Sequence, residues 1–114
     1  MITIEPPSTR SNPSAPAKSG LTRFLRRARE AVGLAGEVEV LLTSDAGIKR
    51  LNRDFRGKNK PTDVLSFPAP EEIAGQHAGD LAISLDTAAR QAESFGHSLG
   101  DEVRVLMLHG LVGV

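Results

Sequence analysis

The chain has 114 residues, of which 39% are hydrophobic and 25% charged, as expected for one ordinary globular domain. It contains no cysteine, which excludes disulfide partners and thiolate metal sites. No apolar run approaches the roughly 20 residues that span a bilayer, and residues 1–7 lack the features of a signal peptide. We therefore expect a cytoplasmic protein with no membrane segment.

The net charge is zero, but the charges are unevenly distributed. Residues 1–60 carry twelve Lys/Arg and six Asp/Glu, whereas residues 61–114 carry two and eight. A basic half is typical of proteins that bind phosphate-rich partners. Basic helices that merely face water give the same count, and charge alone favours that simpler interpretation.

The first third of the chain predicts a short strand, a loop, a helix and a second strand. Ile2 and Ile4 alternate with polar residues. Residues 6–18 are rich in Pro, Ser and Ala and predict a flexible segment. From Leu21 to Val32 the apolar residues follow helical spacing, and Gly33 after them suits a left-handed C-terminal cap. Residues 37–43 then alternate as a half-buried strand.

A second helix is predicted to start at Ser44, as N-cap, and Asp45, as a first-turn acid. Its apolar stripe comprises Ile48, Leu51 and Phe55. The polar residues 56–63, with Gly and Pro among them, predict a loop.

The middle of the chain predicts two short strands separated by a loop. The first strand covers residues 64–67 and is closed by Pro68. Residues 69–78 are expected to form the loop, and a turn at Gly79-Asp80 leads into a strand at residues 81–83.

Two further helices complete the pattern. Ser84 caps the third helix, which ends at Gly96. Its predicted apolar face comprises Leu85, Ala88, Ala89, Ala92 and Phe95. The fourth helix starts near Leu99 and runs towards His109. Strands interleaved with helices predict a single α/β domain over residues 1–114.

His109 is the most informative candidate for chemistry, because it lies on an apolar helix. A second zinc ligand on the same helical face has to come three or four residues later, and position i+4 is Gly113. His77, in a loop, and His97, in a turn, are expected to be exposed and have no metal spacing to His109. Glu102 is expected to be a solvated helix glutamate. These residues alone therefore do not predict a metal site.

A longer motif lies in the middle of the chain. Residues 51–68 read Leu-Asn-Arg-Asp-Phe-Arg-Gly-Lys-Asn-Lys-Pro-Thr-Asp-Val-Leu-Ser-Phe-Pro. This block resembles the signature of the YbeY family, bacterial single-strand-specific endoribonucleases that are also called rRNA maturation factors. The resemblance continues through residues 79–84, the helix after them and residues 102–111, so it covers about residues 35–111.

The resemblance implies an α/β (α+β) fold, a small mixed β-sheet packed with about four helices. It also implies one zinc ion held by the pattern His-Gly-x-x-His-x-x-x-x-x-His. His109-Gly110 looks like the opening of that pattern, but the second ligand position is Gly113 and the third falls beyond Val114. We interpret this departure as a truncated or frame-shifted gene product, and the alternative is a degenerate paralogue.

In the family an arginine at the position of Arg56 is implicated in activity, beside a positively charged groove. An arginine next to a metal-bound water can hold a scissile phosphate by two hydrogen bonds. Arg53, Lys58 and Lys60 are weaker candidates, for RNA binding through phosphate contacts.

The function implied by the resemblance is a metal-dependent endoribonuclease that cleaves single-stranded RNA in rRNA maturation and ribosome quality control. The zinc would lower the pKa of its bound water towards about 7 and so produce a hydroxide. With two of three histidines missing, the chain as written is expected to be inactive and not to retain zinc. The rival hypothesis is a non-catalytic module that binds RNA or the ribosome. A peptidase is disfavoured because Gly110, not Glu, follows His109.

Overall fold

Strands and helices alternate along the part of the chain that the computed structural model describes, residues 1–5, 18–73 and 75–114. The strands are β1 (Ile2–Ile4), β2 (Glu37–Thr43), β3 (Val64–Pro68) and β4 (His77–Ser84). The helices are α1 (Lys18–Ala31), α2 (Asp45–Arg56), α3 (Leu85–Phe95) and α4 (Leu99–Val112), with a 3₁₀ turn at Glu71–Ile73. Of the segment predicted to be flexible, residues 6–17 lie outside the described residues, and residue 18 opens α1.

The four strands form one mixed sheet in the order β1-β2-β4-β3. β1, β2 and β4 run parallel, whereas β3 is antiparallel to β4. Val40 of β2 pairs with Ile2 on one side and with Leu81 on the other. Together with the four helices, this sheet confirms the predicted α/β class with a small mixed sheet.

The main hydrophobic core lies between one face of the sheet and the helices α1, α3 and α4. Alternate residues of β2 point into it, which is the period-2 pattern seen in the sequence. The fully buried large side chains of this core comprise Ile2, Leu21, Val38, Val40, Leu42, Leu81, Ile83, Val103, Met107 and Leu111.

The opposite face of the sheet carries α2, which packs through a smaller cluster of Ile48, Leu65 and Ala82. Because α2 covers only part of this face, a cavity of about 560 Å³ stays open beside it. We call this cavity the α2 groove, and its apolar lining includes Leu41, Leu51, Phe55, Phe67 and Ala82.

Serine hydroxyls begin the helices α2 and α3 and a glycine ends α3, as the sequence predicted. The hydroxyl of Ser44 accepts a hydrogen bond from the Gly47 N–H at the start of α2. Ser84 accepts from Thr87 in the same way at the start of α3. Gly96 ends α3 in the left-handed region, where a residue without Cβ is favoured.

β4 is longer than predicted and begins at His77, so the prediction of a loop there and of a turn at Gly79-Asp80 is wrong. The reason is tertiary: β3 pairs with this segment, with Phe67 opposite Asp80 and Pro68 opposite Gly79. A Cβ on Gly79 would lie 2.8 Å from the Phe67 carbonyl oxygen, so glycine serves close strand packing here rather than a turn.

Three burial predictions are also wrong. Phe55 and Phe95, assigned to apolar stripes, are each 68% exposed. Both lie in the last turn of their helices, just before a glycine cap at which the chain turns away. Glu102, expected in solvent, is 2% exposed and bonds through Oε1 to Nε2 of His97 at 2.6 Å.

Among the described residues, no helix is long and apolar enough to cross a membrane.

Candidate functional site

Arg56, the last residue of α2, is held against strand β3. Its Nη2 donates a hydrogen bond to the carbonyl oxygen of Ser66 at 2.5 Å. Its guanidinium carbon lies 5.6 Å from the centre of the Phe67 ring, within cation–π range. Gly57 then turns the chain in the left-handed conformation. The predicted loop arginine is therefore a helix-terminal arginine with a defined position on the sheet.

Ser66 also links this arginine to the C-terminal part of α4. Its Oγ donates to the carbonyl oxygen of Gly110 at 2.9 Å. His109, one residue before Gly110, is exposed in the same part of α4. Ser66 thus links Arg56 and Gly110, two residues more than fifty positions apart in sequence. Sequence reasoning did not identify Ser66, and no local pattern marks it.

Gly110 allows α4 to approach the sheet. A Cβ at this position would lie 2.8 Å from Cδ2 of Leu81 in β4 and 3.2 Å from Cγ2 of Val64 in β3. The glycine next to His109 is therefore required for packing, independently of any ligand. This close approach places the last turns of α4 over the β3–β4 pair.

The residues near His109 do not fit a zinc ion. A catalytic zinc needs three protein ligands, and no group of three His, Cys, Asp or Glu side chains that could hold a metal occurs in residues 1–5, 18–73 and 75–114. His77 lies 3.4 Å from Oδ2 of Asp80, and His97 bonds to Glu102, so neither joins His109. At position 113 a Cβ would lie 3.0 Å from Ser66 Oγ. A ligand there would require Ser66 to shift slightly.

The remaining predicted RNA-binding residues surround the end of α2. Arg53 is exposed and pairs with Asp54 at 3.0 Å, a surface ion pair of small energy. Lys58 and Lys60 are exposed in the segment after α2. Together with Arg56 they form what we call the α2 basic segment, residues Arg53, Arg56, Lys58 and Lys60.

Asn52 holds the backbone of this segment through two hydrogen bonds. It is 3% exposed, and its Nδ2 donates to the Lys60 carbonyl oxygen at 2.8 Å. Its own carbonyl oxygen accepts the N–H of Lys58 at 3.2 Å. Sequence reasoning missed Asn52, although a polar residue on the apolar stripe of a helix is a detectable signal.

Asp45 joins the start of α2 to the start of α3. Its Oδ1 accepts from the hydroxyls of Ser84 at 2.5 Å and Thr87 at 2.7 Å, and its Oδ2 accepts from Arg90 at 2.9 Å. Partial burial raises the pKa of the Asp45 carboxyl, but these hydrogen bonds and the Arg90 charge outweigh it. The net pKa lies below the ordinary value because the ionised form is better bound.

The Lys and Arg residues of positions 1–60 are divided between the two faces of the β-sheet. α1 packs with the main core, whereas α2 lies on the opposite face of the sheet. The arginines of α1 and the α2 basic segment therefore do not form one continuous surface. Within the α2 basic segment, Arg56 contacts Ser66, which bonds to Gly110 of α4.

The chain is an α/β protein in which Ser66 links Arg56 to the helix that carries His109. Comparison with known proteins identifies its family. The family model described as Endoribonuclease YbeY matches residues 8–113. The chain belongs to the YbeY family. A similar solved structure, that of a Thermotoga maritima protein determined in solution, has a TM-score of 0.64 at 28% identity, covering 97% of this chain and 69% of that one.

Relatives named Endoribonuclease YbeY are substantially more similar in sequence. The protein from Koribacter versatilis is 51% identical over 96 residues, which is 84% of this chain and 61% of the relative. The Aquifex aeolicus protein is 47% identical over 97 residues, or 83% of this chain and 65% of the relative. The chain thus spans about three fifths of the length of the first of these relatives.

Proposed function

We propose that this chain acts in cleaving single-stranded RNA, as an endoribonuclease of the YbeY family. The observation that carries the proposal is the anchoring of Arg56 on Ser66, which itself bonds to Gly110 beside His109. Family membership supports the reaction class, because the relatives are named endoribonucleases.

Arg56 is proposed to bind the scissile phosphate. A guanidinium carries five N–H donors in a planar fork. Among the described residues its hydrogen bond to Ser66 uses Nη2, which leaves donors on Nε and Nη1 for phosphate oxygens. A fixed arginine is most effective where negative charge increases in the transition state, since it needs no reorganisation there.

Metal dependence, with zinc as the ion and His109 as one ligand, belongs to the same proposal. The described residues supply only that one histidine at the site. Residues 1–114 on their own are expected not to retain zinc and to cleave RNA at background level.

The proposed partners are single-stranded RNA, ribosomal RNA and the ribosome, in rRNA maturation and ribosome quality control in the cytoplasm. The lone histidine also supports a second candidate, a non-catalytic module that binds RNA or the ribosome. The two candidates differ in turnover and not in binding.

A chimera tests the proposal. Residues 1–112 are joined to the C-terminal part of the Koribacter versatilis relative, so that histidines complete the pattern opened by His109. The chimera should contain near one zinc per chain and cleave a labelled single-stranded RNA orders of magnitude faster than the 114-residue chain. Metal analysis after dialysis and cleavage before and after chelation measure both.

Arg56→Ala in the chimera should reduce turnover strongly while weakening RNA binding by about one phosphate contact. Arg27→Ala, an exposed arginine on α1, is the matched control and should change neither. Equal cleavage by the chimera and the 114-residue chain would refute the role of His109. Unchanged turnover of the Arg56→Ala chimera would refute the phosphate clamp.

A further inference from the structure

The α2 groove combines an apolar interior with an unusually exposed aromatic ring. Phe55 is 68% exposed, although it lies on the stripe of α2 that includes the buried Ile48. Its ring meets that of Phe67 edge-on, with centroids 5.6 Å apart and planes at 67°. One face of Phe55 is therefore available for a planar ligand, and covering it would remove a large apolar surface from water.

The volume and opening of the groove suit a small planar group. Its volume of about 560 Å³ lies within the range of ligand-binding cavities. Much of the interior is formed by apolar side chains such as Leu41, Leu51 and Ala82.

Positive charge at one end of the groove indicates that the ligand carries an anion. The guanidinium of Arg56 lies over Phe67, which lines the groove. Lys58 and Lys60 follow in the next four residues, in the segment held by Asn52. A planar apolar body joined to a negative charge is the chemistry of a nucleotide.

Two carboxylates also line the groove, and one of them, Asp80, is the register partner of Phe67. Glu39 of β2 and Asp80 of β4 are direct partners in the sheet register, so both side chains are on the same face. Like charges opposite each other destabilise a sheet. The carboxylates of Glu39 and Asp80 repel a phosphate. They accept hydrogen bonds from amino groups, as acidic side chains do from the N4 amine of cytosine. A base inside the groove can therefore donate to a carboxylate while its phosphate reaches Arg56 beside Phe67.

We propose that the α2 groove binds one unpaired, amino-bearing nucleobase of single-stranded RNA, which stacks on Phe55 and donates hydrogen bonds to Glu39 and Asp80. The inference rests on the proposed function, because it concerns the same RNA. It adds a base preference: cytosine, which carries an exocyclic amine, is bound more tightly than uracil, which has a carbonyl oxygen there.

The first experiment measures the binding of the 114-residue chain to oligocytidine of about eight nucleotides and to an abasic oligonucleotide of the same length. Phe55→Ala should weaken oligocytidine binding at least about fivefold, the equivalent of about 1 kcal/mol of stacking. Binding of the abasic strand should not change. Phe95→Ala is the matched control, since Phe95 is equally exposed but lies on α3.

The second experiment compares oligocytidine with oligouridine, which have the same ring size. The unmodified chain should bind oligocytidine more tightly, and Asp80→Ala should bring the ratio of the two dissociation constants close to one. Equal effects of Phe55→Ala and Phe95→Ala, or equal affinity for both oligomers, would overturn the base site. The RNA-binding proposal would survive that result if binding stayed salt-dependent. Absence of binding to every oligomer would overturn both.

Discussion

Asn52 illustrates how one buried polar side chain shapes a surface used for binding. It bonds to the Lys60 carbonyl oxygen and lies beneath the α2 basic segment. Asn52→Ala should lower the free energy of unfolding by about 1 kcal/mol, because it removes the hydrogen bond from the buried Asn52 side chain to the Lys60 carbonyl oxygen. It should also weaken RNA binding by releasing Lys58 and Lys60.

Urea unfolding and RNA titration of Asn52→Ala measure the two effects. Asn59→Ala, an exposed asparagine of the same segment, is the control and should be close to neutral. A variant that is destabilised but binds RNA as well as the unmodified chain would separate Asn52 from the shape of the segment.

Asp45 makes stability depend on pH in the acid range. Its pKa is lower in the folded protein than the unfolded value of about 3.9, since the folded state binds the ionised form. Its contribution is therefore full above about pH 4 and is lost as pH falls through the folded-state pKa. The stability difference between the unmodified chain and Asp45→Asn should be constant from about pH 5 to 7 and shrink below about pH 4.

Thermal unfolding over this pH range measures that difference. Asp101→Asn is the control, because Asp101 is also a first-turn aspartate but has a largely exposed side chain. A difference between the unmodified chain and Asp45→Asn that grows as the pH is lowered would contradict the assigned direction of the Asp45 pKa.

At the scale of elements, the approach of α4 to the sheet depends on Gly110. Gly110→Ala would place a methyl group against Leu81, which is 1% exposed and cannot move freely. Overpacking of this kind costs about 1–3 kcal/mol, more than the gain of up to about 1 kcal/mol from helix propensity. We expect net destabilisation, with a displacement of the helix end that carries His109.

Gly20→Ala in α1 provides the opposite case. A Cβ there meets nothing nearer than Arg104 Nη2 at 3.7 Å, an ordinary contact. This variant should be stabilised by about 0.5–1 kcal/mol. Chemical unfolding of both variants tests the pair, and the same sign for both would contradict the packing argument.

At the scale of the whole molecule, the sheet separates the arginines of α1 from the α2 basic segment. In the sequence both belong to the same basic half of the chain. Replacing Arg53, Lys58 and Lys60 by Gln should weaken RNA binding and reduce the log–log salt slope by about 2, at roughly 0.7 per phosphate contact. Replacing Arg23, Arg26 and Arg27 of α1 by Gln removes the same charge from the other side. That variant should retain most of the affinity and slope.

Fluorescence anisotropy at several salt concentrations compares the two triple variants. Equal losses would show that RNA responds to the net charge of the chain rather than to the α2 basic segment. A larger loss in the α1 variant would place the RNA on the opposite face of the sheet.

Local sequence patterns determined the elements and their order. Alternation along residues 37–43 predicted β2 with its observed bounds, and Ser44 and Ser84 marked two helix starts, because capping and periodicity act over a few residues. Residues 51–68 carried the resemblance that the family comparison confirmed. The importance of Arg56 came from that resemblance and remains a proposal.

The tertiary structure decided which residues distant in sequence contact each other. The pairing of β3 with β4 extended the strand through Gly79 and Asp80, and it brought Ser66 between Arg56 and Gly110. Exposure of Phe55 followed from how little of the sheet α2 covers. Such contacts depend on strand order and on the face to which each helix packs, and neither is encoded in the spacing of neighbouring residues.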